Sequence, residues 1–221
     1  GFIPVFPEIS DKTEINSLYN PLLADKCRIT NIIPSRLAFT PDEKLFLLTG
    51  PNSGGKSVYV TAIGISQLMF QLGLPICASG NARMKPYGKI VTHFIETTRG
   101  STESRLANES QRLQKSLAEI DRNTLLLLDE TFSSTSAYDA LFLSESLMRH
   151  LAKVGCDAVY VTHLHELPAR LNGLPGLRHI TPEVCTGRRT YRIIPYCETS
   201  ETVSLAKDIV VENGLGFLFE D

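Results

Sequence analysis

Gly50-Pro51-Asn52-Ser53-Gly54-Gly55-Lys56-Ser57 lies between the apolar run Leu45-Phe46-Leu47-Leu48-Thr49 and an apolar stretch that reads as a buried helix. A short apolar run predicts a strand, and the pattern Gly-x-x-x-x-Gly-Lys-Ser opening a helix is a phosphate-binding loop in its expected setting. Backbone N–H groups of such a loop point inward at phosphate oxygens, the lysine reaches the β- and γ-phosphates, and the serine hydroxyl meets Mg²⁺ at the helix N-terminus. Gly50, Pro51, Asn52, Ser53, Gly54, Gly55, Lys56 and Ser57 are therefore candidates for contact with a nucleoside triphosphate, Ser57 also as a metal ligand.

Outward from the loop the chain alternates strands and helices. The helix from Lys56 to Leu72 is apolar at Ile65, Leu68, Met69 and Leu72 and nearly so on its other faces, stops at Gly73 with Pro75 beyond, and should be buried. Residues 76–98 read as short strands broken by Gly80, Pro86 and Gly88, and we expect an antiparallel flank from them. Thr97 to Thr102 is small and polar, a mobile loop by composition, ahead of a helix at 103–121 with Leu106, Leu113, Leu117 and Ile120 on one side. Thr124-Leu125-Leu126-Leu127-Leu128-Asp129-Glu130 has the continuous apolarity of a central parallel strand and ends in two acids. A helix at 137–153 and a second buried strand, Ala158–Thr162, follow; strand, helix and strand in that order imply a right-handed parallel crossover. Weaker signals predict strands at 177–180 and 190–194 and a last helix at 204–212. Upstream, residues 1–26 show no clear period and read as a lead-in with at most a short helix, ahead of one domain at 27–221 that opens with strands at 28–33 and 45–49. The fold class is α/β, with a mostly parallel central sheet.

Chemistry concentrates at the strand ends. A phosphate loop needs an acid at the tip of a neighbouring strand, so that Mg²⁺ is held from the side opposite the loop; Asp129 is that acid. Glu130, one residue on and pointing elsewhere, is suited to orient and deprotonate the water that attacks the γ-phosphate. His163 ends the next buried strand, at the edge where doubly wound sheets place their ligands, and could sense the γ-phosphate. His165 and Glu166 lack a third ligand at usable spacing, so zinc is not expected.

Composition sets the outer bounds. The 221 residues, 43% apolar, suit one α/β domain, and a formal net charge of -2 gives no global electrostatic reason to bind nucleic acid or an acidic membrane. No apolar run reaches the roughly 18 residues of a bilayer span. Five widely spaced cysteines without a CxxC pair suggest neither disulfides nor zinc and point to a reducing cytoplasm. A start at Gly1, with Phe2-Ile3-Pro4-Val5-Phe6-Pro7 behind it, leads us to expect a piece of a longer protein.

Taken in order, Gly50 to Ser57, Leu128-Asp129-Glu130, Thr135-Ser136-Ala137-Tyr138-Asp139 and Thr162-His163 resemble the ATPase domain of the MutS family, one of the ABC-type P-loop ATPases. The likeness runs from about Tyr19-Asn20-Pro21-Leu22-Leu23 to Ser204-Leu205-Ala206 and Gly214-Leu215. It implies ATP or ADP with Mg²⁺ as ligands, a head-to-tail homodimer or MutS-like heterodimer, and DNA as a partner through other domains of the parent protein. It also implies a serine, here Ser104 in Ser104-Arg105-Leu106-Ala107-Asn108-Glu109, that completes the partner's nucleotide site across the interface. Adenine in this family lies against the segment ahead of the loop, which makes Ile32 and Ile33 candidates for its apolar cover. One stretch departs. After Asp-Glu the family usually reads Ile-Gly-Arg-Gly-Thr-Ser-Thr-Tyr-Asp-Gly, and this chain has Thr131-Phe132-Ser133-Ser134-Thr135-Ser136-Ala137-Tyr138-Asp139-Ala140. The resemblance therefore implies a divergent member, an ATPase by its Glu130, or alternatively a nucleotide-binding dimerisation switch with little hydrolysis by its altered 131–134. The Leu-Ser-Gly-Gly-Gln signature of transporter and SMC ATPases is absent.

Overall fold

The computed structural model describes residues 4–24, 26, 28, 31–51, 54–94, 102–185 and 188–197, with backbone alone at 24, 102–104, 188 and 189. In chain order the elements are β1 (Glu8–Ile9), β2 (Thr13–Leu18), α1 (Pro21–Ala24), β3 (Ser35–Phe39), β4 (Leu45–Thr49), α2 (Lys56–Gln71), β5 (Ala82–Met84) and β6 (Lys89–His93). There follow α3 (Thr102–Ala118), β7 (Thr124–Asp129), α4 (Ala137–Val154), β8 (Asp157–Thr162), α5 (Leu167–Arg170), β9 (Leu177–Cys185) and β10 (Arg188–Pro195).

A six-stranded sheet in the order β10-β9-β4-β8-β7-β6 forms the centre, parallel throughout except for the β9/β10 hairpin. Its middle strands β4, β7 and β8 are buried at nearly every position because both faces are covered. Phe46, Leu48, Leu125, Leu127, Val159 and Val161 point to one cluster, which α2 fills with Tyr59, Val60 and Ile63 and a second sheet with Ile15, Leu37 and Phe39. Leu45, Leu47, Leu126, Leu128 and Tyr160 point to the other, closed by Leu113 of α3, Leu147 and Leu151 of α4 and Leu167 of α5. At roughly 1.5–3 kcal/mol per buried large aliphatic side chain, these two interfaces dominate the favourable side of folding. Helix α4 is cut to length by its ends: Ser136 Oγ accepts the Asp139 amide, and Gly155, at φ 74, donates to the Leu151 carbonyl.

The second sheet, β1-β5-β2-β3, pairs β2 antiparallel with β3 and β5, and β1 parallel with β5. It corrects the reading of residues 1–26 as a lead-in with at most a short helix, because β2 buries Ile15 and Leu18 fully. A register shift between Ile15 and Leu18 turns both side chains inward at a spacing of three, which hides the strand from a search for alternation. Residues 76–98 divide: β5 joins this sheet, whereas β6 runs parallel to β7 as the edge of the central one, so the expected antiparallel flank fails for 89–93. The strand expected at 28–33 is not formed over 31–33; the chain passes Pro34, which has no N–H for a ladder, before β3 begins. The mobile loop expected around 97–102 falls largely outside the described residues, and the helix expected at 204–212 does so entirely.

Helix α2 is buried on one side only, not all round as expected. Its buried stripe is Tyr59, Val60, Ile63, Ser66 and Gln67, while Leu68 and Leu72 are 53% and 66% exposed. Gln67 is drawn inward because Nε2 donates to the Lys85 carbonyl and to Gln71 Oε1, both at 2.9 Å. Among the described residues no helix is long and apolar enough to cross a membrane.

Candidate functional site

Three parallel strands end at one edge of the central sheet, and the candidate residues follow them: Gly50 after β4, Glu130 after β7, His163 after β8. The acid-bearing strand is not the direct neighbour of the loop strand, as the sequence reading had it. Strand β8 lies between, so β7 is one place removed from β4.

The loop is shaped by glycine at two points. Gly50 has φ 144, and a Cβ there would sit 2.6 Å from Pro182 Cδ on β9. Gly55, at φ 87, caps α2 beneath the ring of Tyr191. Asn52 and Ser53 lie outside the described residues. Lys56 is buried and its Nζ donates to the carbonyls of Gly50 at 2.8 Å and Pro51 at 2.9 Å, so its charge is fixed against the loop.

Asp129 closes the opposite side. The Ser57 side chain lies near enough to its carboxyl to favour the charged form, yet Asp129 Oδ1 is buried with no hydrogen-bond partner. Burial lifts this carboxyl above the ordinary range; the Ser57 side chain opposes the rise, the negative charge of Glu130 adds to it, and the Lys56 charge opposes it. A buried carboxylate oxygen without a donor costs about 1–3 kcal/mol or more. Together with the Ser57 hydroxyl it forms a hard-oxygen pair that fits Mg²⁺, which keeps several waters and takes phosphate oxygens as further ligands. Among the described residues no group of three His, Cys, Asp or Glu converges to hold a metal by protein alone.

Lys56, Ser57 and Glu130 open on a cavity of about 590 Å³ with walls of two kinds. Gly54, Gly55, Lys56, Ser57 and Glu130 supply the polar wall, and Leu18, Leu23, Ile32, Ile33 and Tyr59 supply much of the apolar one. Ile32 and Ile33 thus line the same space as Gly54 to Ser57. Glu130 reaches it from a left-handed backbone, φ 52, with its amide donating to the Val161 carbonyl at 2.9 Å. His163 emerges solvent-exposed at the same sheet edge and does not line the cavity. Ser104 lies in the first turn of α3, where only the backbone is described.

Among the lining residues that escaped the sequence reading, Tyr191 and Asn20 stand out. Tyr191 stands at φ 62 in a bulge of β10 between Arg189 and Ile193, 55% exposed, with its ring over Gly55. A bulge inverts the alternation of a strand, so nothing in the sequence aims that ring at the loop. Asn20 follows β2; its Nδ2 donates to the Val58 carbonyl at 2.9 Å and its Oδ1 accepts the Leu22 amide at 2.9 Å, fastening the N-terminal segment to the start of α2.

Comparison with known proteins bears on the same residues. The family described as MutS domain V matches residues 46–207. A DNA mismatch repair protein MutS of Prochlorococcus marinus (strain MIT 9301) is 34% identical over 154 residues, 69% of this chain and 16% of that protein. The DNA mismatch repair protein msh-2 of Neurospora crassa is 27% identical over 189 residues, 81% of this chain and 20% of that protein. An Endonuclease MutS2 of Streptococcus thermophilus (strain ATCC BAA-491 / LMD-9) is 30% identical over 168 residues, 75% of this chain and 21% of that protein. The chain therefore spans about a fifth of the length of these relatives.

Proposed function

The chain belongs to the MutS family, and from that premise we propose that it is an Mg²⁺-dependent ATPase domain whose nucleotide-gated pairing controls how a longer parent protein engages DNA. The observation that carries this reading is the buried, unpartnered Asp129 Oδ1, on a carboxyl that the Ser57 side chain and the Lys56 charge both influence, one residue before the Glu130 that lines the cavity together with Lys56 and Ser57. A buried carboxylate oxygen without a donor is an exception that needs an explanation, and a bound metal ion supplies one.

In this reading the loop amides and Lys56 bind the phosphates, and Ile32, Ile33 and Tyr191 cover the base. Ser57 and Asp129 would hold Mg²⁺, which when bound neutralises charge on the β- and γ-phosphates. Glu130 accepts a hydrogen bond from the attacking water and takes its proton, from a turn fixed by the Val161 carbonyl. His163 and a partner's Ser104 contact the γ-phosphate on closure; the positive end of α3 favours that anion. ATP and ADP, a second ATPase domain and DNA held by other parts of the parent are the partners proposed. The alternative, a nucleotide-binding switch that scarcely hydrolyses, draws on Phe132 in place of the family's glycine, buried at φ 67.

Single-turnover hydrolysis in the full-length protein separates the two. Wild type should cleave ATP in the presence of Mg²⁺, and Glu130→Gln should slow the chemical step by about 10²–10⁴-fold, the usual worth of a general base, while still binding ATP. A wild-type protein that binds ATP and performs no chemical step leaves the switch standing and the ATPase excluded.

A further inference from the structure

The turn that carries Glu130 is held in an unusual shape. Glu130 and Phe132 both lie in the left-handed region, at φ 52 and φ 67, which side chains with a Cβ seldom adopt. From the β8 side the turn is tied by the Glu130 amide to Val161 and by the Tyr160 hydroxyl, which donates to the Thr131 carbonyl at 3.1 Å. The hydroxyl of Thr131 itself is buried without a partner, so that side chain does not hold the turn.

The opposite tie comes from α3. Glu109 uses both carboxylate oxygens on the turn: Oε1 accepts the Phe132 amide at 2.6 Å and Oε2 accepts the Ser134 hydroxyl at 2.7 Å. Its side chain is 15% exposed, and His93, buried at the end of β6, places Nε2 3.9 Å from Oε1. Burial pushes the Glu109 carboxyl up, but the nearby His93 ring and the hydrogen bonds from Ser134 and the Phe132 amide outweigh it and hold the group below the ordinary carboxylate range. A charged acceptor makes both bonds of the stronger kind. Glu109 does not line the nucleotide cavity.

On the ATPase reading above, we propose that Glu109 is a positioning residue. Its carboxylate clamps the Phe132 amide and the Ser134 hydroxyl and so fixes the left-handed turn that aims Glu130 into the nucleotide cavity. The placement of α3 thereby sets the placement of the general base. The clamp also gives the divergent segment 131–134 a role: Ser134, where the family has glycine, supplies a hydroxyl to the second carboxylate oxygen. Because α3 is the helix that begins at Thr102 and contains Ser104, a shift of α3 reaches Glu130 without any new contact to nucleotide.

The test uses the full-length protein with Glu109→Ala, Glu109→Gln and Ser134→Ala, reading single-turnover hydrolysis, ATP affinity and hydrogen exchange at the Phe132 amide. Glu109→Ala should slow the chemical step by about 10- to 100-fold through misplacement of the base. ATP affinity should stay within about twofold of wild type, because no nucleotide contact is lost. Exchange at the Phe132 amide should accelerate while β7 and β8 stay protected. Glu109→Gln, which keeps an acceptor for that amide, should restore most of the rate, and Ser134→Ala, which removes one arm and leaves the fold intact if Glu109→Ala does not, should cost a few-fold. A faster-exchanging Phe132 with wild-type hydrolysis in Glu109→Ala overturns the proposal, as does unchanged exchange or a loss confined to ATP affinity. Absence of hydrolysis in wild type removes the ATPase reading and the base with it. That result is distinct from a failed clamp, because exchange at Phe132 reports the clamp without turnover.

Discussion

A phenylalanine in a left-handed turn sets two energies against each other, and Phe132 shows which is larger. Its φ of 67 costs on the order of 1–2 kcal/mol relative to glycine, the residue the family usually carries there. Its ring is only 6% exposed and packs in the cluster that holds Leu113 and Leu128. Deleting a buried phenylalanine side chain costs about 3–5 kcal/mol. Burial wins, so Phe132→Gly, although it restores the family's residue, should destabilise the chain by about 1–4 kcal/mol, read as a lowered urea midpoint at unchanged slope. A variant as stable as wild type would mean that strain and burial cancel. The amino-acid sequence exposes the departure from glycine at this position. It does not expose the inward ring, since the turn that swings Phe132 under α3 is created by contacts to Glu109 and Val161 from elsewhere in the chain.

Strands β4, β7 and β8 are legible because burial on both faces leaves a continuous apolar run, a signal that needs no register. Elements whose pattern is broken by a tertiary demand are not. The register shift in β2 removes its alternation, and Ser66 and Gln67 inside the core, with Leu68 and Leu72 outside it, hide which side of α2 is buried. Strand β9 carries a further hidden feature, a polar pin to β4. Thr49, the last residue of β4, places Oγ1 2.6 Å from His179 Nε2, and the His179 ring stacks on Tyr196 with centroids 4.2 Å apart. Burial lowers the His179 pKa from 6.5 to about 4. The folded state thus resists protonation that the unfolded chain accepts, and stability contributed by the neutral ring is complete above pH 6.5 and lost as pH falls from there to about 4. Urea midpoints across this window should fall less steeply in His179→Gln than in wild type. Parallel curves would mean that His179 titrates alike in both states.

At the scale of the whole molecule the candidate site can be read from the sequence where it runs along the chain and is hidden where it crosses layers. Gly50 to Ser57, Asp129 and Glu130 follow apolar strands and announce themselves by spacing. Asn20 and Tyr191 reach the cavity from the second sheet's segment and from a hairpin bulge, which no local pattern records. The layers are stitched beside that cavity, Asn20 to Val58 at 2.9 Å and the Ile193 amide to Ser35 Oγ at 2.9 Å. A nucleotide filling the cavity should therefore stabilise both layers at once. At a free ATP concentration a hundredfold above its Kd, with Mg²⁺, the gain should be about 2.7 kcal/mol, and a chelator should reduce it by returning Asp129 Oδ1 to its unpaired state. Hydrogen exchange should slow together at residues 19–23, at 54–57 and at 191. Protection confined to 54–57 would reduce the ligand's footprint to the phosphate loop and leave the N-terminal wall as packing alone. Joint protection would make the N-terminal segment part of the nucleotide site, coupling ligand occupancy to the strand that a reading of its sequence passes over.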